Sequence, residues 1–257
     1  MAVAEVMVQS APLIGRREVA RGMQVLTFAA PQLGALAEPG QFVNVLLRPG
    51  PLLRRPFSVY QSTEEGVEIL LKEVGEGTAL LAAMPLGTEV SVLGPLGRGF
   101  QLEGAGPLVL VSGGVGVAAM PLAAKAARAA GKKVLWLHGA RSASDLCSEW
   151  EGDEAGWATD DGSEGWKGSV LDLIPEGPGL VFACGPTAML AELARRRPDS
   201  QVSVETHMGC GTGVCLGCVV PLRQGGFDRA CSEGPVFRAA DVVWEKMPRR
   251  LHYSPLR

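Results

Sequence analysis

The sequence predicts an antiparallel β barrel followed by a parallel α/β sheet, with a small cysteine-bearing domain at the C-terminal end. Three observations carry this reading. Up to about residue 100, short β-rich runs alternate with Gly and Pro. After Gly104–Pro107, apolar strands alternate with helical segments. Four of the six cysteines then fall within residues 210–231. A chain of 257 residues can hold two domains and an appendage. The expected divisions are 1–102, 103–204 and 205–257.

The barrel strands are expected at Ala2–Val8, Val19–Phe28, Phe42–Leu47, Pro56–Tyr60, Val67–Lys72 and Glu89–Leu93, with one helix near Thr78–Ala83. In the second half, the strands Leu108–Val111, Lys133–His138, Trp157–Thr159, Leu180–Ala183 and Val202–Val204 alternate with helices at Ala118–Ala130, near Ser169–Leu173 and at Thr187–Arg196. This order gives a parallel sheet with helices on both faces. A short strand, Val219–Leu222, follows.

Composition narrows the class. Hydrophobic residues make up 47% and charged residues 20%, as in ordinary soluble proteins. A net charge of −3 without a basic run argues against a nucleic-acid partner. Gly104–Ala124 has no charge and the length to span a bilayer. Its glycines and prolines read instead as a strand, a turn and a helix, so no membrane partner is expected. The N-terminus lacks the pattern of a signal peptide, and a cytoplasmic protein is expected.

Cys210, Cys215, Cys218 and Cys231 are spaced C-x4-C-x2-C-x12-C. The first three match the run that holds plant-type [2Fe–2S] clusters. Gly209, Gly211, Gly213 and Gly217 let the backbone wrap close and aim amides at sulfur. Four thiolates also suit tetrahedral zinc, although zinc sites usually arrive as two close pairs. A disulfide framework belongs to small secreted domains and does not fit here.

Arg54-Arg55-Pro56-Phe57-Ser58 lies on an expected barrel strand. Alone it would read as a solvated arginine pair on an edge strand. Before an α/β half it resembles the flavin signature of the ferredoxin–NADP reductase superfamily. That resemblance implies FAD, with Arg55 on its pyrophosphate and Ser58 near the reactive edge of the ring. Phe57 stands where many members carry Tyr. Leu70-Leu71-Lys72 and Gly75-Glu76-Gly77-Thr78 resemble the second flavin segment of the superfamily, where a helix start offers N–H groups to phosphate.

Ser112-Gly113-Gly114-Val115-Gly116 follows a strand and opens a helix. It is not the G-x-G-x-x-G fingerprint, but small residues at a helix start suit a dinucleotide pyrophosphate equally. A purely structural glycine turn is the alternative. Cys184-Gly185-Pro186 ends a strand and resembles the superfamily's Cys-Gly-Pro, which borders the nicotinamide. Alone, Cys184 would be a buried strand-end cysteine. Cys147 belongs to no motif. Arg141 and Ser142 end the second strand and leave NAD against NADP open. His138, His207 and His252 are isolated and read as structural or solvated.

Met208–Val220, Ala158–Val170 and Ala230–Phe237 together resemble the electron-transfer subunits of type B dihydroorotate dehydrogenases, over essentially the whole chain. The resemblance implies NADH as reductant of FAD, a [2Fe–2S] cluster as exit, and an FMN-containing catalytic subunit as partner in a two-plus-two heterotetramer, serving de novo pyrimidine (UMP) biosynthesis. Related subunits of ferredoxin–NADP transhydrogenases and sulfhydrogenases share the same order of parts and differ in partner. A zinc-stabilised assembly module without redox work is the alternative of another class.

The cysteine pattern makes a direct prediction. Anaerobically prepared protein should contain about two irons and two acid-labile sulfides per chain. Cys218→Ala should lose them and Cys147→Ala should retain them, by metal and sulfide analysis. Stoichiometric zinc would overturn the assignment.

Overall fold

A computed structural model describes residues 6–248. Six strands close an antiparallel barrel: β1 (Met7–Ala20), β2 (Met23–Phe28), β3 (Phe42–Leu46), β4 (Arg55–Ser62), β5 (Val67–Lys72) and β6 (Glu89–Leu96), in the order β1-β2-β5-β4-β3-β6. β1 serves two neighbours. Met7–Pro12 pair with β6, and the stretch from Leu13 pairs with β2. The turn at Gly22, with φ +67°, puts Val19 at the end of β1 rather than at the start of the second strand, as the sequence suggested. Residues 2–5 of the expected first strand lie outside the described residues.

Helix α1 (Pro31–Leu36) was not expected. It is six residues long and carries Gly34 inside it, so propensity gives little signal. The glycine is needed for contact: a Cβ there would lie 2.6 Å from the Gly66 carbonyl oxygen. Helix α2 (Glu76–Ala83) follows β5 as expected.

The second sheet contains β7 (Leu108–Gly113), β8 (Val134–Ala140), β9 (Glu154–Thr159), β10 (Trp166–Lys167), β11 (Leu180–Cys184) and β12 (Gln201–Ser203), all parallel, in the order β10-β9-β8-β7-β11-β12. The strand order reverses between β7 and β11, which puts the ligand crevice of such sheets at their carboxyl ends. The hairpin of β13 (Val219–Pro221) and β14 (Phe227–Arg229) follows, and β15 (Val236–Arg238) returns antiparallel to β12. The expected helix from residue 118 is two elements, a 3-10 segment Gly114–Ala119 and α3 (Pro121–Ala129). Val170–Leu173 is 3-10, and α4 (Thr187–Arg196) has its expected bounds.

Strand alternation explains the two covered faces. Leu108 and Leu110 of β7 pack with Ala123, Ala124 and Ala127 of α3. Val109 and Val111 turn the other way, to Leu190 and Leu193 of α4. The core under α3 also takes Val25, Tyr60 and Leu70 from the outside of the barrel, so one apolar cluster spans barrel and sheet. Phe100 stacks on Phe182 there, with centroids 4.5 Å apart.

A polar fork reinforces this junction. Arg17 of β1 grips Glu68 of β5 at 2.6 and 2.8 Å, and Glu149, on the loop before β9, at 2.5 and 3.0 Å. Tyr60 donates to Glu149 at 3.1 Å. The hydrogen bonds from Arg17 hold the Glu149 carboxyl below its ordinary range, against the cost of burial. Removing Arg17 leaves Glu68, only 8% exposed, without its charged partner and with only the Thr27 hydroxyl donating to it at 3.1 Å. Arg17→Ala should therefore destabilise the protein by about 2 kcal/mol in urea unfolding. Arg21→Ala breaks a pair whose arginine is 68% exposed and should lose at most about 1 kcal/mol. A depressed carboxylate contributes stability above its unfolded pKa and loses it as pH falls through the native value. The Glu149 share of the Arg17→Ala deficit should accordingly shrink in acid.

Candidate functional site

β4 enters its cleft through a run of half-buried residues. Arg55, Pro56, Phe57 and Ser58 are all partly open, whereas Val59 and Tyr60 beyond them are buried. Arg54 turns away, donating to the Ser91 carbonyl at 2.8 Å and Ser91 Oγ at 2.9 Å. Arg55 hydrogen-bonds the Leu53 carbonyl at 2.6 Å and has no acidic partner among the described residues. Its guanidinium lies across the first turn of α2: a Cβ on Gly77 would come 2.8 Å from Arg55 Nε. Thr78 fixes that turn, its Oγ1 accepting from the amides of Val74 (2.9 Å) and Gly75 (3.1 Å) and donating to the Gly75 carbonyl at 2.8 Å. A planar cation without a counterion beside a helix N-terminus is a site for a phosphorylated ligand.

A cleft of about 210 Å³ extends from this point. The barrel contributes Arg55, Pro56, Phe57, Ser58, Leu70, Leu71, Lys72 and Thr78 to its wall. The carboxyl edge of the sheet contributes Val115, Ala118 and Cys184. A third wall comes from the segment leading into the cysteine loop, with Glu205, Thr206 and Met208.

The glycines of the nucleotide half sit directly behind this wall. Gly113 ends β7, and Gly114 takes φ +54°. Gly116 brings its backbone onto β11: a Cβ there would lie 2.4 Å from the Cys184 carbonyl oxygen. Gly185 is equally tight, with Met189 Cε at 2.6 Å and the Gly113 amide at 3.1 Å from its would-be Cβ. Pro186 is the N-cap of α4. These residues flank the point where strand order reverses, the place at which sheets of this kind take their ligands.

Cys184 is fully buried, and burial pushes its thiol well above the ordinary range, so it stays protonated and shapes the cleft. Glu205 faces open cleft while protein surrounds it on most sides, and desolvation raises its carboxyl. His138 is buried at the end of β8, with Ser112 Oγ 2.9 Å from Nδ1. Burial lowers it to about 4, so it is a neutral structural residue.

The cysteine loop departs below this third wall. Backbone amides point at its sulfurs: Thr212 and Cys215 donate to Cys210 Sγ at 3.4 Å each, Gly213 to Cys231 Sγ at 3.2 Å, and Gly217 to Cys215 Sγ at 3.4 Å. Cys218 and Cys231 lie buried with sulfurs 3.2 Å apart. The amide bonds, that of Thr212 first, bring the Cys210 thiol down to about 6. Burial, then Cys218, pushes Cys231 up to about 12. Gly211 and Gly213 adopt φ +74° and +81°, and Leu216 shares this left-handed region at +56°. Amide-lined sulfurs on a left-handed loop suit a sulfur-bridged cluster. Cys147 lies elsewhere, beside Tyr60 Oη at 3.9 Å.

Sequence reasoning missed several residues of the cleft. Phe42, Ser203, Glu205 and Thr206 carry no motif of their own. Val115 lies within the glycine turn, Met208 opens the Met208–Val220 segment and Pro235 lies in Ala230–Phe237, so these three had a usable signal.

A flavin-type barrel, a dinucleotide-type sheet and a cluster loop around one cleft define an iron–sulfur flavoprotein reductase. Comparison with known proteins narrows this class. Residues 205–243 match the family described as the iron–sulfur cluster binding domain of dihydroorotate dehydrogenase B. The electron transfer subunit of dihydroorotate dehydrogenase B (NAD(+)) from Bacillus caldolyticus is 40% identical, over 89% of this chain and 95% of that protein. The subunit of the same name from Bacillus cereus (strain B4264) is 35% identical, over 91% of this chain and 98% of that protein. Among solved structures, a chain of an NADH-dependent reduced ferredoxin–NADP oxidoreductase, reported for flavin-based electron bifurcation, superposes with a TM-score of 0.82 at 31% identity, covering 92% of this chain and 90% of that one. The ferredoxin reductase in carbazole 1,9a-dioxygenase, at 21% identity and a TM-score of 0.63 over 74% of this chain and 65% of that one, shares the fold. The chain belongs to the family of dihydroorotate dehydrogenase B electron transfer subunits. Iron–sulfur ligation in that family sets aside the zinc alternative.

The arginine site yields a quantitative expectation. Losing a charge-assisted pair removes about 1.5–3 kcal/mol, so Arg55→Ala should weaken FAD binding roughly ten- to a hundredfold. Lysine, lacking the planar fork, should rescue only partly. Flavin released during gel filtration at fixed protein concentration measures this, and unchanged retention would move the pyrophosphate elsewhere.

Proposed function

We infer that this chain is the electron-transfer subunit of an NAD-dependent dihydroorotate dehydrogenase, carrying electrons between NAD(H) and a separate catalytic subunit through FAD and a [2Fe–2S] cluster. The observation that supports it best is the single cleft, walled jointly by the Arg55–Ser58 strand, by Cys184 and by the approach to Cys210. When bound, FAD would supply the conversion of one hydride, carrying two electrons, into two single-electron transfers, as needed between nicotinamide and a one-electron cluster.

The residues divide this work. Arg55 and the α2 N-terminus would hold the FAD pyrophosphate, and Leu70, Leu71, Lys72, Gly77 and Thr78 would complete that side. Pro56, Phe57 and Ser58 would lie along the flavin ring, with the Ser58 hydroxyl as the polar contact. Gly113, Gly114 and Gly116 would admit the NADH pyrophosphate, and Cys184, Gly185 and Pro186 would border the nicotinamide. Crowding around the Cys184 backbone excludes water behind the reacting face. Cys210, Cys215, Cys218 and Cys231 would hold the cluster, with the loop amides already directed at sulfur. The chain would divide into a flavin barrel at 1–102, a nucleotide-binding unit at 103–204 and a cluster unit at 205–257.

The partner would be an FMN-containing catalytic subunit in a two-plus-two assembly. Its docking face would be the outer side of the cluster loop. Val214 is 80% exposed and Leu216 61%, flanking the exposed Cys215, and Phe227 of the adjoining hairpin is 65% exposed. Contiguous exposed apolar side chains mark interaction sites. Among the described residues no helix is long and apolar enough to cross a membrane. The similarity to the ferredoxin–NADP oxidoreductase chain favours a second reading, with the same electron path and another acceptor. The subunit that co-purifies, an FMN-containing dehydrogenase or a larger flavoprotein, separates the two.

Mutation should separate entry from exit. Folded Cys215→Ser protein without its cluster should still let NADH bleach FAD. It should not support NADH-linked orotate reduction in the reconstituted complex. The partner should still oxidise dihydroorotate with an artificial acceptor. Full NADH–orotate turnover by Cys215→Ser would remove the cluster from the path.

A further inference from the structure

A buried polar residue of the barrel reaches the cluster loop. Asn44 of β3 is 1% exposed. Its Nδ2 donates to the Cys210 carbonyl at 3.4 Å across a sequence separation of 166 residues. Its Oδ1 is buried without a hydrogen-bond partner among the described residues. The next residue of the loop is shaped to this side chain. A Cβ on Gly211, at φ +74°, would lie 1.9 Å from Asn44 Nδ2 and 3.6 Å from Leu96 Cδ1. The backbone of Asn44 is itself braced, because Arg54, next to the flavin-facing Arg55, donates to the Asn44 carbonyl at 3.2 Å.

A buried amide with an unsatisfied oxygen is costly, and an apolar side chain of the same size would avoid that cost. Packing of the barrel alone therefore does not explain an asparagine here. Donation to the loop does. The carbonyl it holds belongs to Cys210, and the same loop turn sends the Thr212 and Cys215 amides onto Cys210 Sγ. Fixing that carbonyl fixes the peptide planes around the sulfur, and such outer contacts tune metal sites.

We propose that Asn44 is a positioning residue that seats the Cys210 end of the cluster loop on the flavin barrel. It sets the spacing of cluster and flavin and the amide geometry at one ligand sulfur. This rests on the assignment of Cys210, Cys215, Cys218 and Cys231 as cluster ligands.

The test uses the holo complex with its catalytic subunit. Asn44→Asp keeps the shape and removes the donor, Asn44→Ala removes both, and Gly211→Ala presses on an intact Asn44. Iron, sulfide and FAD content of the wild type comes first, and a wild type without iron and sulfide defeats the ligand assignment rather than the role of Asn44. With the cluster present, Asn44→Asp and Asn44→Ala should release iron to a chelator about three- to tenfold faster, the effect of one lost hydrogen bond. They should shift or broaden the electron paramagnetic resonance signal of the reduced cluster and slow the passage of electrons out of reduced flavin. FAD content and its bleaching by NADH should match the wild type. Asn44→Ala should also relieve part of the Gly211→Ala defect, because it removes the atom in the way. A purely structural asparagine would instead lower FAD content and thermal stability together. An unchanged chelation rate and resonance signal in Asn44→Asp, or additive defects in the double variant, would overturn the proposal.

Discussion

The strip of main-chain pairing between Gln201–Ser203 and Val236–Arg238 governs where the cysteine loop can lie. The chain leaves the parallel sheet at Ser203, runs through the cleft wall and the cysteine loop, and returns along the free edge of the same strand. Both ends of the excursion are thereby held at one place. Val204 donates to the Pro235 carbonyl at 2.9 Å, and Arg98 at the end of the barrel donates to the Gly234 carbonyl at 2.5 Å. The loop is anchored to both larger units at its base, so much of the entropy of closing it is met by ladder hydrogen bonds outside the loop. Without this anchor, the third wall of the cleft would have no fixed position against the other two.

Glycine makes the approach of the units close enough to matter. At Gly116 and Gly185 the nucleotide turn and the end of β11 touch backbone to backbone. At Gly77 the helix start meets the arginine fork, and at Gly211 the cluster loop meets the barrel. In each case a methyl group would collide at 2.8 Å or less. The four positions lie far apart in sequence and surround one region. Electron transfer between bound groups demands such proximity, and at Gly116, where a Cβ would meet the main chain itself, a side chain would push a wall outward.

Charge follows the same logic. The groups buried behind the cleft, His138 and Cys184, are held neutral by desolvation. At the barrel–sheet junction Arg17 is shared between two carboxylates. Arg55 at the front has no acidic partner among the described residues. A cation already neutralised by protein would have little to offer a pyrophosphate. Arg55, left unpaired, stays available to an anionic group, while Arg17 fixes the two units together.

The sequence by itself determined the architecture and much of the chemistry. Strand alternation, the switch to strand–helix order and the cysteine spacing each depend on a short local pattern, because period and ligand spacing are properties of neighbouring residues. The bounds of α4 and of β5 were readable for that reason. α1 was not, since a short helix containing glycine leaves almost no periodic signal. The return of β15 to β12 was also hidden, because three-residue strands pair through the main chain and say nothing of their partner. Only the tertiary structure placed Glu205, Thr206 and Met208 opposite Arg55, and Asn44 beneath Cys210. A residue such as Asn44 has an ordinary strand position and no motif. Its importance comes from a carbonyl 166 residues away, brought to it by the closure of the barrel against the edge of the sheet.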